Sequence, residues 1–520
     1  MVHGDAAANA DRTLGNRRSA WCAAAATTIS VTRTGGVVVV AMLACATPPS
    51  QAGLSASAPT VEVTIRSGVS RRLAPGFAGY NVALMESTIS YRDPALASAT
   101  AALGPGWLRF PAGMRSDAFD WRTGLSPDAW AGRFANSEFG PQLRDAQRML
   151  ELKGGEHVAD ASRLVRAVGA AGLVVCVNVF TDTPESAGEF AAYARANGIR
   201  VLAWELGNEP TFFPDFFPNA STYAARMRPF ADAIRAADPA ARVALSMSIA
   251  GLQDESWDDD LAAFRPRYWD LIAYHDYHRI VGTSSELIAR LNEQLLRRSA
   301  GYVTSEVASR FGEMPVVVTE VRPDREVVGT LYGGIWAAEF ALRLSAVPSV
   351  ERVGMHQLLG PAGIETTNNY LQTFERNHLR GASVPIATLD YGLFASAQAV
   401  AYAVAASAIN QSTSVYRTTL VGGARLPLAG GRDSISGVHA QAFGGDSGRE
   451  LVLTNKGPSV ERVRILFDGG EVTHRLRVIS ATGPSAMSLN SRSQANVRVR
   501  QSFVRGTVGI PAYSVTRVSW

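Results

Sequence analysis

The sequence predicts a (β/α)8 TIM barrel with a C-terminal antiparallel β-sandwich domain, and three observations lead there. Eight apolar runs of strand length follow one another between 77 and 358, most of them separated by helical stretches. Two of these runs end on a glutamate, Glu209 and Glu320, and the carboxyl ends of barrel strands are where polar groups gather. From about Asp390 the texture changes to short alternating segments divided by Gly, Asp, Asn and Ser, the pattern of an antiparallel sandwich. An open doubly wound sheet competes with the barrel. It calls for a glycine-rich phosphate loop after an early strand, and the sequence has none.

In chain order, 60–65 (T-V-E-V-T-I) alternates like a half-buried strand and precedes the barrel pattern, so it is assigned to the second domain. Barrel strands are expected at 77–84, 107–113, 173–180, 199–206, 243–248, 268–275, 315–320 and 350–358. Helices are expected at 162–171, where Leu164, Val165 and Val168 share a face, and at 189–197, closed by Gly198. Others fall at 221–237 with Ser221 as N-cap, 285–298, 304–311, 335–345 and 391–408. Sandwich strands follow at 450–454, 460–467, 475–480 and 514–520. The resulting division is a leader at 1–58, a barrel at 76–389, and a sandwich built from 59–75 and 390–520.

Composition narrows the class. Hydrophobic content of 47% and charged content of 18% describe a folded chain and exclude a disordered one. The net charge is +4, but four arginines and two aspartates lie in the first 52 residues, so the remainder carries about +2. An acidic substrate is permitted by this balance, not argued for. No basic block with interleaved aromatics suggests nucleic acid. Arg17, Arg18 and Arg33 precede an apolar run at 35–46, with small residues at 44–46 and 50–52, which reads as an export signal. The expected location is therefore periplasmic or extracellular. The run falls short of the ~20 apolar residues of a permanent span, and no later segment reaches that length, so no integral membrane span is expected in the mature chain. M-L-A-C at Cys45 loosely resembles a lipoprotein box, which makes a lipid anchor the lesser alternative. Without Cys22 and Cys45 the mature chain keeps only Cys176, inside an apolar run, where a cysteine serves as a small buried hydrophobe.

The chemistry concentrates at strand ends. V-L-A-W-E-L-G-N-E-P (201–210) is an apolar run closing on Asn208 and Glu209, and Pro210 is expected to impose an extended backbone on Glu209. M-P-V-V-V-T-E-V-R-P (314–323) places Glu320 at the end of another run, 111 positions later. Two carboxylates facing each other across ~5–5.5 Å are the minimum equipment for retaining cleavage of a glycosidic bond. In that reading Glu320 is the nucleophile, Glu209 the acid/base, and Asn208 hydrogen-bonds the sugar hydroxyl beside the reacting carbon. The bland alternative is a pair of structural ion pairs at strand ends. Glu205 lies deeper and is expected to pair with an arginine such as Arg109. His275, Tyr277 and His278 close the sixth strand and are expected to position the nucleophile and touch the sugar. A metal is not expected there, for want of further acidic ligands. Gln357, after His356 at the end of the eighth strand, is expected on the site floor. The loop 211–218 (T-F-F-P-D-F-F-P) is expected to form a sugar-stacking wall.

W-E-L-G-N-E-P at 204–210, V-T-E at 318–320, L-R-F-P-A-G at 108–113, Y-H-D-Y-H at 274–278 and Y-G-G at 332–334 resemble glycoside hydrolase family 79. That family contains β-glucuronidases and heparanases of the clan A barrels. The resemblance runs in order from about 60 to the C-terminus. It implies Glu209 as acid/base and Glu320 as nucleophile, with no cofactor. It further implies that Gly333 and Gly334 hold a glucuronate carboxylate on their backbone N–H groups, joined by Tyr370, and that Asn81 and Tyr277 contact sugar. Pro111 and Ala112 depart from the glycine or hydroxyl residue often carried there. No inserted linker with basic flanks is present, which favours an exo-acting β-glucuronidase, acting on glucuronic-acid-containing carbohydrate, over an endo-acting heparanase-like enzyme. A clan A hydrolase of neutral β-glycosides is favoured if Gly333, Gly334 and Tyr370 do not converge. A non-catalytic carbohydrate-binding protein is the remaining reading, opposed by the presence of both glutamates. The oligomeric state is not legible in the sequence.

Overall fold

The computed structural model describes residues 60–520 except 83, 85–88, 112, 135–139, 250–255, 278–285, 325, 360–363, 367–392, 447 and 492–493. The leader with Cys22 and Cys45, Ala112, His278 and Tyr370 therefore lie outside the described residues.

β1 (Thr60–Arg72) precedes eight parallel strands that close a barrel in chain order. These are β2 (Ala78–Asn81), β3 (Leu108–Phe110), β4 (Leu173–Val177), β5 (Val201–Leu206), β6 (Val243–Ser246), β7 (Leu271–Tyr277), β8 (Val316–Arg322) and β9 (Val350–His356). Every one lies on an expected apolar run. β7 and β8 continue two residues beyond the expected ends, to Tyr277 and Arg322, and both extra residues matter below. Trp107 plugs the barrel interior beneath the site, with Val174, Ala203, Ala244 and Val317 around it. The indole needs two bare backbones beside it: a Cβ on Gly79 would sit 2.5 Å from the ring, and one on Gly354 2.7 Å. The helix after β5 begins at Ala220, two residues off expectation in its cap, because the Asn219 side chain accepts from the Thr222 N–H at 2.7 Å.

β1 pairs antiparallel with Ser414–Val421 and parallel with Glu461–Phe467 in a ten-stranded sheet whose other ladders are antiparallel. Alternation buries Val61, Val63 and Ile65 against Leu451, Leu453, Val463 and Ile465. The opposite face, through Val415, Phe443, Val452 and Val515, joins the main core. The helix Leu331–Ser345 contributes to that same core, and all its residues except Arg343 are buried. An apolar surface on every side marks a helix with no solvent face.

One charge is buried with it. Glu339 accepts from Lys456 Nζ at 2.5 Å, Arg343 Nη2 at 2.8 Å and Thr454 Oγ1 at 2.8 Å. Lys456 and Glu339 side chains are 1% and 0% exposed. Breaking such a pair strands a charge, so Lys456→Met is expected to lower the unfolding free energy by about 3 kcal/mol, the low end because Arg343 remains. Urea denaturation checks this. A loss under about 1 kcal/mol would show that water reaches Glu339, and the Lys456→Met/Glu339→Met double variant should recover much of the loss.

Candidate active site

Each side chain of the site is placed by the end of a barrel strand. β5 stops at Leu206. Gly207 turns at φ 82°, and Glu209 follows at φ 46°, ψ 53°. The extended backbone expected before Pro210 is thus not what forms. The proline's bias towards extended backbone is overridden by a tight turn, in which Phe212 N–H donates to Glu209 O at 3.1 Å and Glu209 is left-handed. A non-glycine residue there costs on the order of 1–3 kcal/mol and persists only where its surroundings over-determine it. The turn leaves Glu209 12% exposed, against 0% for Glu205 and 3% for Glu320, so Glu209 is the most accessible of the three carboxyls.

β8 aims Glu320 by an insertion. Tyr274 pairs with Val318 but His275 pairs with Glu320, so Thr319 is an extra residue in the ladder. The partner strand β9 shows the same shift between Val318 and Val321. Strict alternation would turn Thr319 inward and Glu320 outward. The bulge lets both reach the interior, a device common beside active sites. Thr319 then donates to Glu205 Oε1 at 3.0 Å while accepting from His275 Nε2 at 3.0 Å.

The result is a closed electrostatic network. Arg109, fully buried on β3, donates to Glu205 Oε2 at 2.7 Å, Glu320 Oε1 at 2.5 Å and Asn208 Oδ1 at 3.0 Å. Asn81 Nδ2 donates to Glu320 Oε1 at 2.6 Å and to His356 Nδ1 at 2.9 Å, and the Tyr277 hydroxyl donates to Glu320 Oε2. His275 Nδ1 lies 2.8 Å from Glu209 Oε1 and 3.8 Å from Glu320 Oε2. Burial opposes a charge on His275, but Glu320, Glu205 and Glu209 outweigh it and raise its pKa to about 10. Burial likewise opposes the Glu320 anion, yet His275, His356 and Arg109 hold it down to about 2. Since burial drops His356 to about 4, the compensating charges at neutral pH are His275 and Arg109. Glu205 is held below the usual carboxylate range, burial being overcome by Arg109 and His275. Glu209 goes the other way: burial pushes it up, and His275 only partly offsets this.

Asn81, Asn208, His275, Tyr277, Glu209 and Glu320 are therefore brought together. Two amide groups in the cluster, Asn208 Nδ2 and Asn81 Oδ1, are buried without a hydrogen-bond partner among the described residues. Glu209, His275 and Glu320 each offer one ligand atom within 4.8 Å of the others.

Other expectations fare differently. Gly333 and Gly334 are not an anion site. Their helix starts at Leu331, four residues before the expected 335, and its first amides are all used. Leu331 N–H donates to Ser488 O, Tyr332 to Ala486 O, Gly333 to Thr330 Oγ1 and Gly334 to Thr330 O, at 2.8–3.1 Å. These glycines serve packing: a Cβ on Gly333 would lie 2.3 Å from Val327 O, and one on Gly334 2.7 Å from Ala401 Cβ. Gln357 is buried but makes no hydrogen bond among the described residues, and its neighbour His356 faces Glu320 instead, 3.4 Å from Oε2. In the 211–218 loop, Phe213, Phe216 and Phe217 pack with Trp130, Phe180 and Tyr223, leaving Phe212 as the exposed ring. Sequence reasoning missed the reach of Arg109 to Glu320 and the Asp117 carboxylate that accepts from the Asn208 N–H at 3.2 Å. The signal for Arg109 was present, since an arginine inside an apolar strand must be paired.

A closed parallel barrel, an appended antiparallel sheet and acidic groups at the barrel mouth define the class of structure. Among solved structures of that class, the chain is similar to the GH51 arabinofuranosidase from Xanthomonas axonopodis pv. citri, with 15% identity over 88% of this chain and 99% of that one, at TM-score 0.64. It is also similar to the alpha-L-arabinofuranosidase from Thermotoga maritima, at 15% identity, 89% and 100% coverage and TM-score 0.63. A third is the 4-O-alpha-L-rhamnosyl-beta-D-glucuronidase from Fusarium oxysporum, at 15% identity, 88% and 100% coverage and TM-score 0.56. At this identity the likeness establishes the fold. No protein-family profile and no curated protein sequence matches the chain.

Proposed function

We propose that the protein is a retaining glycoside hydrolase of the clan A type, acting from the non-reducing end on β-D-glucuronides. The observation that carries the hydrolase reading is the Glu209–His275–Glu320 cluster, whose ligand atoms lie within 4.8 Å while the two carboxyls are pushed in opposite directions. Ligand atoms no more than 4.8 Å apart are compatible with the ~5–5.5 Å carboxyl separation of retaining enzymes. Ionised Glu320 attacks the anomeric carbon to form a glycosyl ester, while protonated Glu209 transfers its proton to the departing oxygen. Glu209, now a carboxylate, takes a proton from water. The hydroxide formed attacks the same carbon, and Glu320 leaves as the carboxylate it was.

The glucuronide preference rests on the family 79 motifs and on a glucuronidase being among the similar folds. The second reading, neutral β-glycosides, is favoured by the occupied Gly333 and Gly334 amides. Hydrolysis of 4-nitrophenyl β-D-glucuronide against the glucoside separates the two, and proton NMR of the first-formed sugar reads the stereochemistry. Glucuronide turnover with the β-anomer appearing first is expected. An α-anomer would sink the double-displacement mechanism, and glucoside-only turnover would sink the uronate assignment.

A further inference from the structure

We propose that Arg322 binds the carboxylate of a uronic acid seated against Glu320, and thereby selects acidic over neutral sugars. This deepens the glycosidase reading above and rests on it.

The position follows from the strand. Beyond the Thr319 bulge, alternation resumes, so Arg322 shares the inward face of β8 with Glu320, one pleat nearer the barrel mouth. Register sets Arg322 directly beside Tyr277 on β7. The Arg322 guanidinium lies over the Tyr277 ring, 5.5 Å from its centroid, and the hydroxyl of that ring donates to Glu320. One tyrosine thus separates the nucleophile from a cation.

Arg322 is also uncommitted. The other arginine of the site, Arg109, is consumed by Glu205, Glu320 and Asn208. Arg322 makes no ion pair or hydrogen bond among the described residues, and its Nε is buried without an acceptor. A buried donor left unpaired costs about 1–3 kcal/mol, so an acceptor brought to it is stabilising. A uronic acid offers one in the right region. Its carboxylate sits on C5, separated from the anomeric carbon only by the ring oxygen, and an anomeric carbon at Glu320 keeps that substituent close. The planar guanidinium suits bidentate binding of a carboxylate, which a hydroxymethyl group cannot match. With the Gly333 and Gly334 amides occupied, Arg322 supplies the positive charge that an acidic sugar needs.

The test compares wild type, Arg322→Gln and Arg322→Lys on 4-nitrophenyl β-D-glucuronide and on the glucoside. The ratio of the two kcat/KM values is expected to fall about 10- to 100-fold in Arg322→Gln, the range for a hydrogen bond to a charged group, with Arg322→Lys in between. Calorimetric binding of a uronic-acid-configured iminosugar and its hydroxymethyl counterpart reads the same ratio without turnover. Equal losses on both sugars would overturn the proposal and leave Arg322 a prop for Tyr277. Thermal melts identify a folding defect, and Arg322→Lys then carries the comparison. Wild type that cleaves or binds only the neutral sugar refutes the glucuronide reading itself, a result distinct from wild-type uronate selectivity that survives Arg322→Gln.

Discussion

Glu320→Gln is expected to lower kcat by at least about 10⁴-fold on any aryl glycoside the enzyme accepts, because an amide neither attacks the anomeric carbon nor offsets charge developing on it. The substitution is a fair one sterically. Glutamine keeps an oxygen to accept from Arg109 and Asn81, the donors now 2.5 and 2.6 Å from Glu320 Oε1. What it removes is the anion that Arg109 and His275 compensate, so an effect on folding and an effect on chemistry are separable by a thermal melt. Glu320→Ala adds a sharper readout. The shortened side chain leaves space for azide, which would attack the face vacated by the carboxylate and give the α-glycosyl azide. A β-glycosyl azide would assign the nucleophile elsewhere, and turnover above a tenth of wild type in Glu320→Gln would do the same.

The division of labour between the glutamates follows from charge balance in a closed space. Three glutamates, Glu205, Glu209 and Glu320, share two cations, Arg109 and His275. Glu205 and Glu320 each reach Arg109 within 2.7 Å, whereas the one cation paired with the Glu209 carboxyl among the described residues is His275, which also faces the other two. Low dielectric magnifies each of these differences. The third carboxyl, Glu209, is raised above the usual carboxylate value, since burial outweighs what His275 offsets. Separate environments for two carboxyls across one cleft are how a single site runs acid and nucleophile together.

Much of this is legible in the sequence. A parallel barrel buries both faces of its strands, so each appears as an unbroken apolar run, and the polar residue that ends a run is conspicuous. Glu209, His275 and Glu320 were found that way. The bulge was not. V-V-V-T-E reads as one continuous strand, and nothing in it shows that Thr319 is an extra residue or that Glu320 would otherwise face outward. The Tyr332-Gly333-Gly334 stretch misled for a related reason. A glycine pair looks like a break before a helix, while the structure uses it for close approach to the helix Ala397–Asn410 behind a Thr330 cap. Arg322 escaped notice because it follows the expected strand end, and its meaning appears only once Tyr277 stands beside it.

Glu209→Gln is expected to reshape the pH profile as well as the rate. The proposed mechanism requires Glu320 ionised and Glu209 protonated. With Glu320 held near 2 and Glu209 raised above its usual value, kcat/KM should rise with pH through the first ionisation and fall through the second, giving an acidic optimum. The two limbs belong to the pair, since each carboxyl feels the other. Glutamine keeps an oxygen for the His275 Nδ1–H, now 2.8 Å from Glu209, but has no proton to give. The alkaline limb should therefore vanish, and kcat should fall by about 10²- to 10⁴-fold for leaving groups that need protonation. A dinitrophenyl glycoside, whose phenolate departs unaided, should suffer far less in the first step. An unchanged alkaline limb in Glu209→Gln would transfer the acid role to another group, with His275 excluded only if its own charge persists to about pH 10. Persistence of that charge is testable in the same variant, because an imidazolium that lost its carboxyl partner still faces Glu205 and Glu320, and its NMR titration should stay well above neutral.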